Sequence, residues 1–160
     1  MTKTSGGILT VGVLAVVAAA FLAFQGGSGF GLSPVGITLS VNGGSCVQTL
    51  TDTGAPTPLV TVKNGQAVVY SSSSNSFSFD FQPAGFINTG SPFKDKTGAY
   101  QLRIVASGTP YTTAPSNLTL AEKSVSIFNP SITNFLYQPT MTIDGQSCRV
   151  SPDTGVHVEK

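Results

Sequence analysis

Hydrophobic positions are distributed along this chain in two different ways. Between residues 8 and 24 they are continuous, broken only by Thr10 and Gly12, whereas from Pro34 onward apolar and polar residues alternate. A continuous run has no polar face to offer water, so it predicts a helix immersed in a bilayer. Counted from Gly6 at about 1.5 Å per residue, that helix is roughly 28 Å long, close to the hydrocarbon thickness of a membrane. Ile8, Leu9, Val13, Leu14, Val17, Phe21 and Phe24 are its expected membrane-contacting residues. No charged residue occurs from 4 to 51; Lys3 precedes the run and the next basic residue is Lys63. That bias places the N-terminus inside and the rest of the chain outside.

The alternating part predicts strands separated by turns. Ile37-Thr38-Leu39-Ser40-Val41 leads into Asn42-Gly43, a pair suited to the positive φ angles of a two-residue hairpin turn. Val60-Thr61-Val62-Lys63 and Gln66-Ala67-Val68-Val69-Tyr70 flank Asn64-Gly65 and predict a second hairpin. Further strands are expected at 77–81, where Phe77, Phe79 and Phe81 share a face, at 100–104, at 124–128 and at 140–143. The stretches 71–75, 83–97 and 109–117 are rich in Ser, Gly, Pro and Asn and read as loops. Residues 96–100 resemble the approach to the tyrosine corner of immunoglobulin-like domains, with Lys96 where an Asp is usual, which implies a sandwich. The expected fold class is therefore all-β: a single antiparallel β-sandwich or jelly-roll-like domain preceded by one N-terminal transmembrane α-helix. An open barrel is the alternative.

One internal repeat stands out. Leu39-Ser40-Val41-Asn42-Gly43-Gly44-Ser45-Cys46 parallels Met141-Thr142-Ile143-Asp144-Gly145-Gln146-Ser147-Cys148, and each copy runs on to an Asp-Thr-Gly triplet, 52–54 and 153–155. With a two-residue turn on Asn42-Gly43 and on Asp144-Gly145, Leu39 faces Cys46, Met141 faces Cys148 and Ile143 faces Gln146, so each cysteine lies on the apolar face of its hairpin. The two cysteines, 102 residues apart, are expected to form a disulfide between two sheets. In the chain-entropy view such a loop contributes about 4–5 kcal/mol.

Composition narrows the function classes. Only 9% of residues are charged and the net charge is +1, which argues against a nucleic-acid footprint. The cysteines have no CxxC spacing and His157 is the only histidine, so neither a zinc cluster nor a nucleophile–histidine pair is expected, and no cofactor. Asp-Thr-Gly is the turn in which aspartic peptidases present a catalytic Asp, but Leu50-Thr51 and Ser151-Pro152 precede the triplets here, and one small domain cannot build two lobes. Asp80 and Asp95 read as solvated carboxylates, and Asn117 opens a glycosylation sequon. Phe86, Ile87 and Phe93 lie in the long loop, where they either cap the core or form a contact patch for a partner.

The expected organisation is an N-terminal transmembrane anchor over 1–25, a Gly-rich linker over 26–34 and an extracytoplasmic β-domain over 35–160. Ala18-Ala19-Ala20 offers a competing reading of the first segment as a cleaved signal. A type IV pilin also begins with a basic leader and an apolar helix, but here the acidic residue early in that helix is missing. The expected function is non-enzymatic. A membrane-anchored structural or assembly protein would present its β-domain to neighbouring subunits, as a minor capsid or vertex-associated protein of a membrane-containing virion does. Alternatives are a pilin-like filament or envelope subunit, or a glycan- or receptor-binding module. The expected partners are the lipid bilayer and other protein subunits, with no nucleic acid.

Overall fold

Most of the alternating runs become strands, because alternation places apolar side chains on one face of a pleat and leaves polar ones for solvent. The computed structural model describes residues 32–63, 65–83, 90–94, 97, 99–113 and 134–159, all within one unit, Gly31–Lys160. Among them are ten strands. They are β1 Val35–Asn42, β2 Ser45–Leu50, β3 Leu59–Lys63, β4 Val68–Ser71, β5 Ser76–Phe81, β6 Arg103–Ser107, β7 Tyr111–Thr112, β8 Asn134–Ile143, β9 Gln146–Arg149 and β10 Gly155–Glu159. No described residue is helical, and no helix among them is long and apolar enough to cross a membrane. The predicted bilayer helix at 8–24, the linker up to Gly31 and the predicted strand at 124–128 lie outside the described residues.

The long strand β8 organises the rest. It pairs antiparallel with β5, with the hairpin partner β9, and, through Leu136, Phe135 and Asn134, with β10. From β9 the hydrogen-bonded order runs to β2, β1, β4 and β7, while β10 carries β3 and β5 carries β6. The sheet is mixed rather than antiparallel throughout. β1 pairs parallel with β4, β10 with β3 and β2 with β9. The sheet path that starts on β6 ends on β7, two strands joined directly through residues 108–110.

Two turn-based expectations change. Gly65 does turn the chain, with φ at 76° and the Gln66 N–H donating to the Lys63 carbonyl at 3.0 Å. However, the flanking strands do not form a hairpin. β3 finds five partners along β10, setting Val60 against Val156 and Val62 against Val158, and β4 finds four along β1. In the first hairpin the turn residues are Gly43 and Gly44, with φ 56° and 79°, and Asn42 pairs with Ser45. Val41 therefore faces Cys46 and Leu39 faces Gln48, each partner two residues further along β2 than the Asn-Gly signal implies. The second hairpin does turn on Asp144 and Gly145, with Ile143 opposite Gln146 and Met141 opposite Cys148. The two copies of the repeat are thus out of phase by one residue at the turn. Their inward faces survive because the shift changes which residues pair but not which side they occupy.

The core is aromatic. Phe77, Phe79 and Phe81 point inward from β5, and the Phe79 ring lies 4.8 Å from that of Tyr137 and 5.1 Å from that of Tyr70. Phe93 is fully buried, 5.7 Å from Phe81 and 6.3 Å from Tyr70. It therefore caps the core. Phe86 and Ile87 lie outside the described residues. At 100–104 strand structure begins only at Arg103, so Ile104 is buried while Leu102 is 44% exposed. Tyr100 sits before that strand, bridged to Lys94, whose ammonium lies 4.6 Å from the ring centroid.

Gly155 opens β10 where the β8 backbone comes closest. A Cβ there would collide with the Phe135 carbonyl oxygen and the Leu136 Cα, neither of which can swing aside. Gly155→Ala is expected to lower unfolding stability by about 1–3 kcal/mol, the usual cost of overpacking, as read from the urea midpoint.

Candidate functional site

The most constrained chemistry of the described residues is internal. On β2 the inward positions are Cys46, Gln48 and Leu50, so an amide occupies the middle of an apolar row. Gln48 is only 5% exposed. Its Nε2 donates toward the carbonyls of Thr57, Pro58 and Gly155 at 3.0, 3.1 and 3.1 Å, sharing two N–H bonds among three acceptors. Its Oε1 accepts from the Tyr137 hydroxyl at 2.8 Å. Because that donates the only hydroxyl proton of Tyr137, the 3.2 Å contact with Tyr70 has Tyr70 as donor. Burial pushes both hydroxyls well above the ordinary tyrosine range; the neighbouring Tyr137 raises Tyr70 further, while the bond from Tyr70 lowers Tyr137. Both stay neutral, and the chain is a satisfied core network rather than a proton relay.

The cysteines are joined, with a Cα–Cα distance of 5.1 Å. The disulfide links neighbouring strands rather than two opposed sheets. It stands beside the single β2–β9 bridge, Ser45 with Arg149, where the Arg149 N–H donates to the Gly44 carbonyl at 2.9 Å.

Asp144 does more than form a turn. Its positive φ of 50° aims the carboxylate at the loop between β4 and β5. There it accepts from the hydroxyls of Ser72 at 2.7 Å and Ser73 at 2.6 Å, from the Ser74 hydroxyl, and from the N–H groups of Ser73 and Ser74 at 3.2 and 3.1 Å. Desolvation acts to raise its pKa, but the Ser73, Ser74 and Ser72 hydroxyls and the Ser74 N–H outweigh it and hold the carboxyl well below the usual range. The serine-rich tip is thereby turned on the protein itself.

No catalytic constellation emerges among the described residues. Asp52 and Asp153 are both exposed, and their triplets differ in structure. Gly54 is a turn residue with φ at 65°, whereas Gly155 lies within a strand. The two carboxylates therefore lack the shared buried cleft of a peptidase dyad. His157 approaches Asn134, Nδ1 to Oδ1, at 2.6 Å. No group of three or more His, Cys, Asp or Glu able to hold a metal is present among the described residues.

The surface feature with most contact character is the outer face of β6, β5, β8 and β9. One rung runs Val105, Ser78, Thr142, Ser147, and Arg103 stands opposite Asp80 on the next. Val105 is 54% exposed in the middle of its strand, with exposed Leu102 just before it. Among the described residues β6 pairs only with β5. Hydroxyls, the opposed Asp80 and Arg103 and the exposed Val105 side chain line this face.

No protein-family model matches the chain, and no match is found among curated proteins or solved structures.

Gln48 and Asp144 were missed as key residues by sequence reasoning, although a signal existed for each. Gln48 stands at an inward position between Cys46 and Leu50, and Asp144 fills a turn position that favours positive φ.

Gln48→Met keeps the volume but strips Tyr137 of its acceptor; a loss of about 1–3 kcal/mol in urea unfolding is expected. For Asp144 the folded pKa is depressed, so its stabilisation is complete above the unfolded carboxylate value and disappears as pH falls through the folded one. The stability gap between the parent protein and Asp144→Asn should be flat above about pH 5 and shrink below about pH 4. Thermal melts of both proteins across that range measure it.

Proposed function

We propose that the protein is a non-enzymatic, membrane-anchored structural or assembly protein that holds a small β-domain at a fixed distance from a bilayer. The observation that carries this reading is the uncharged apolar run at 8–24, followed by glycines and serine at 26–29 and then by an all-β unit. The run supplies the address, the linker supplies reach, and the disulfide-tied domain supplies a surface for a neighbouring subunit. In finer detail the domain is read as a β-sandwich, since β4 and β1 cover the aromatic side chains of β5 and β8.

Such a part suits a minor capsid or vertex-associated protein of a membrane-containing virion, or a filament or envelope subunit of a cell surface. The body of the chain lies outside the membrane and the N-terminus inside. Two observations support a mechanical role over a chemical one. The buried polar groups Gln48, Tyr70 and Tyr137 satisfy one another, and the hydroxyls of the serine-rich tip bond Asp144 rather than facing a glycan.

Alkaline carbonate washing tests the address: the full-length chain should stay in the membrane fraction, and release of a chain beginning near Phe21 would overturn it. A photo-crosslinking residue at Val105, introduced in the intact assembly, should give one discrete adduct with a protein subunit. Adducts to lipid alone or none at all would remove the contact surface from the proposal.

A further inference from the structure

The disulfide sits where the sheet is held most lightly. Between β2 and β9 there is one bridge pair, Ser45 with Arg149, and the Arg149 N–H to Gly44 O bond is part of that bridge. The opposite end of β2 is held in other ways. The Gln48 side chain reaches the Thr57, Pro58 and Gly155 carbonyls and the Tyr137 hydroxyl, and the Thr57 N–H donates to the Gln48 carbonyl at 3.0 Å. β1 is held separately by its four-pair ladder with β4. The two sulfurs also differ in access. Cys148 is 3% exposed, packed in the core beside Met141, whereas Cys46 is partly open near the hairpin tip.

We infer that the Cys46–Cys148 bond is a redox-operated clamp on the β2–β9 seam. A dithiol reductant opens that seam locally while the Gln48 end of the strand and the aromatic core stay folded. Its attack is directed to one sulfur. A thiolate of the reductant bonds to Cys46 Sγ, and the S–S pair leaves with Cys148, which takes a proton from water. The second thiolate of the reductant then attacks the mixed disulfide at the reductant's own sulfur. This releases the Cys46 thiolate and leaves the reductant as its cyclic disulfide; two electrons have passed to the protein cysteines. The open seam frees the Gly43–Gly44 tip from β9. The first hairpin, which carries both an Asn42-Gly43 and a Gly43-Gly44 turn option, is then no longer pinned there. This inference is independent of the membrane reading.

Two measurements on the folded, detergent-solubilised full chain test it. Brief exposure to glutathione, acid quenching and peptide mapping should place the glutathione adduct on Cys46; an adduct chiefly on Cys148 overturns the directed attack. Amide hydrogen exchange is then compared with and without dithiothreitol. Exchange at the Arg149 amide should rise on reduction by about tenfold or more beyond any rise shared by the Thr57 and Gly155 amides. Equal acceleration at all three would make the bond a global staple, and no acceleration at Arg149 would make it mechanically idle. Either result overturns the clamp.

Discussion

One buried amide ties four segments of the described domain together. Gln48 lies in an apolar interior where an unpaired polar group costs about 1–3 kcal/mol, so its position must satisfy both ends of the side chain together. That requirement brings β2, the approach to β3, the start of β10 and the middle of β8 to a single point. Tyr70 extends the chain of bonds to β4. Hydrophobic burial specifies which face of each strand points inward, whereas the Gln48 bonds join these strands at particular backbone positions.

The register of the first hairpin shows the consequence. Asn42-Gly43 is the better turn pair by local preference, and using it would still have kept the apolar residues on the inner face. The chain turns on Gly43-Gly44 instead, which puts Gln48 opposite Leu39 and within reach of Tyr137. In the second hairpin no such conflict exists, and Asp144-Gly145 is used as its residues suggest. Two segments that look like copies therefore play different mechanical parts. One is shifted to serve the network, and the other uses its turn carboxylate to fasten the Ser72–Ser74 loop. The disulfide joins the two hairpins side by side.

Much of the architecture was legible residue by residue. Phe77, Phe79 and Phe81 announced a one-faced strand, and the paired cysteine positions announced their bond. The errors concern partners rather than elements. Val60–Lys63 and the strand ending at Tyr70 are both real, yet they separate across the sheet, because β10 takes the first and β1 the second as a parallel partner. Phe93 stood in a loop rich in Gly and Pro, where exposure and burial read alike; the rings of Phe81 and Tyr70 decide for burial. As for a site, the sequence pointed to exposed loops, whereas the strongest polar chemistry described lies inside the core.

By itself, then, the sequence determined the period-two pattern of the β-domain, the side of each strand that faces inward and the contrast with the charge-free run at the N-terminus. These are local properties, set by backbone geometry and by which side chains water excludes. Only the tertiary structure decided which strands pair, that three of the pairings are parallel, and which glycine closes the first turn. Those outcomes depend on hydrogen bonds and ring contacts between residues as far apart as Gln48 and Gly155, and no local pattern carries that information.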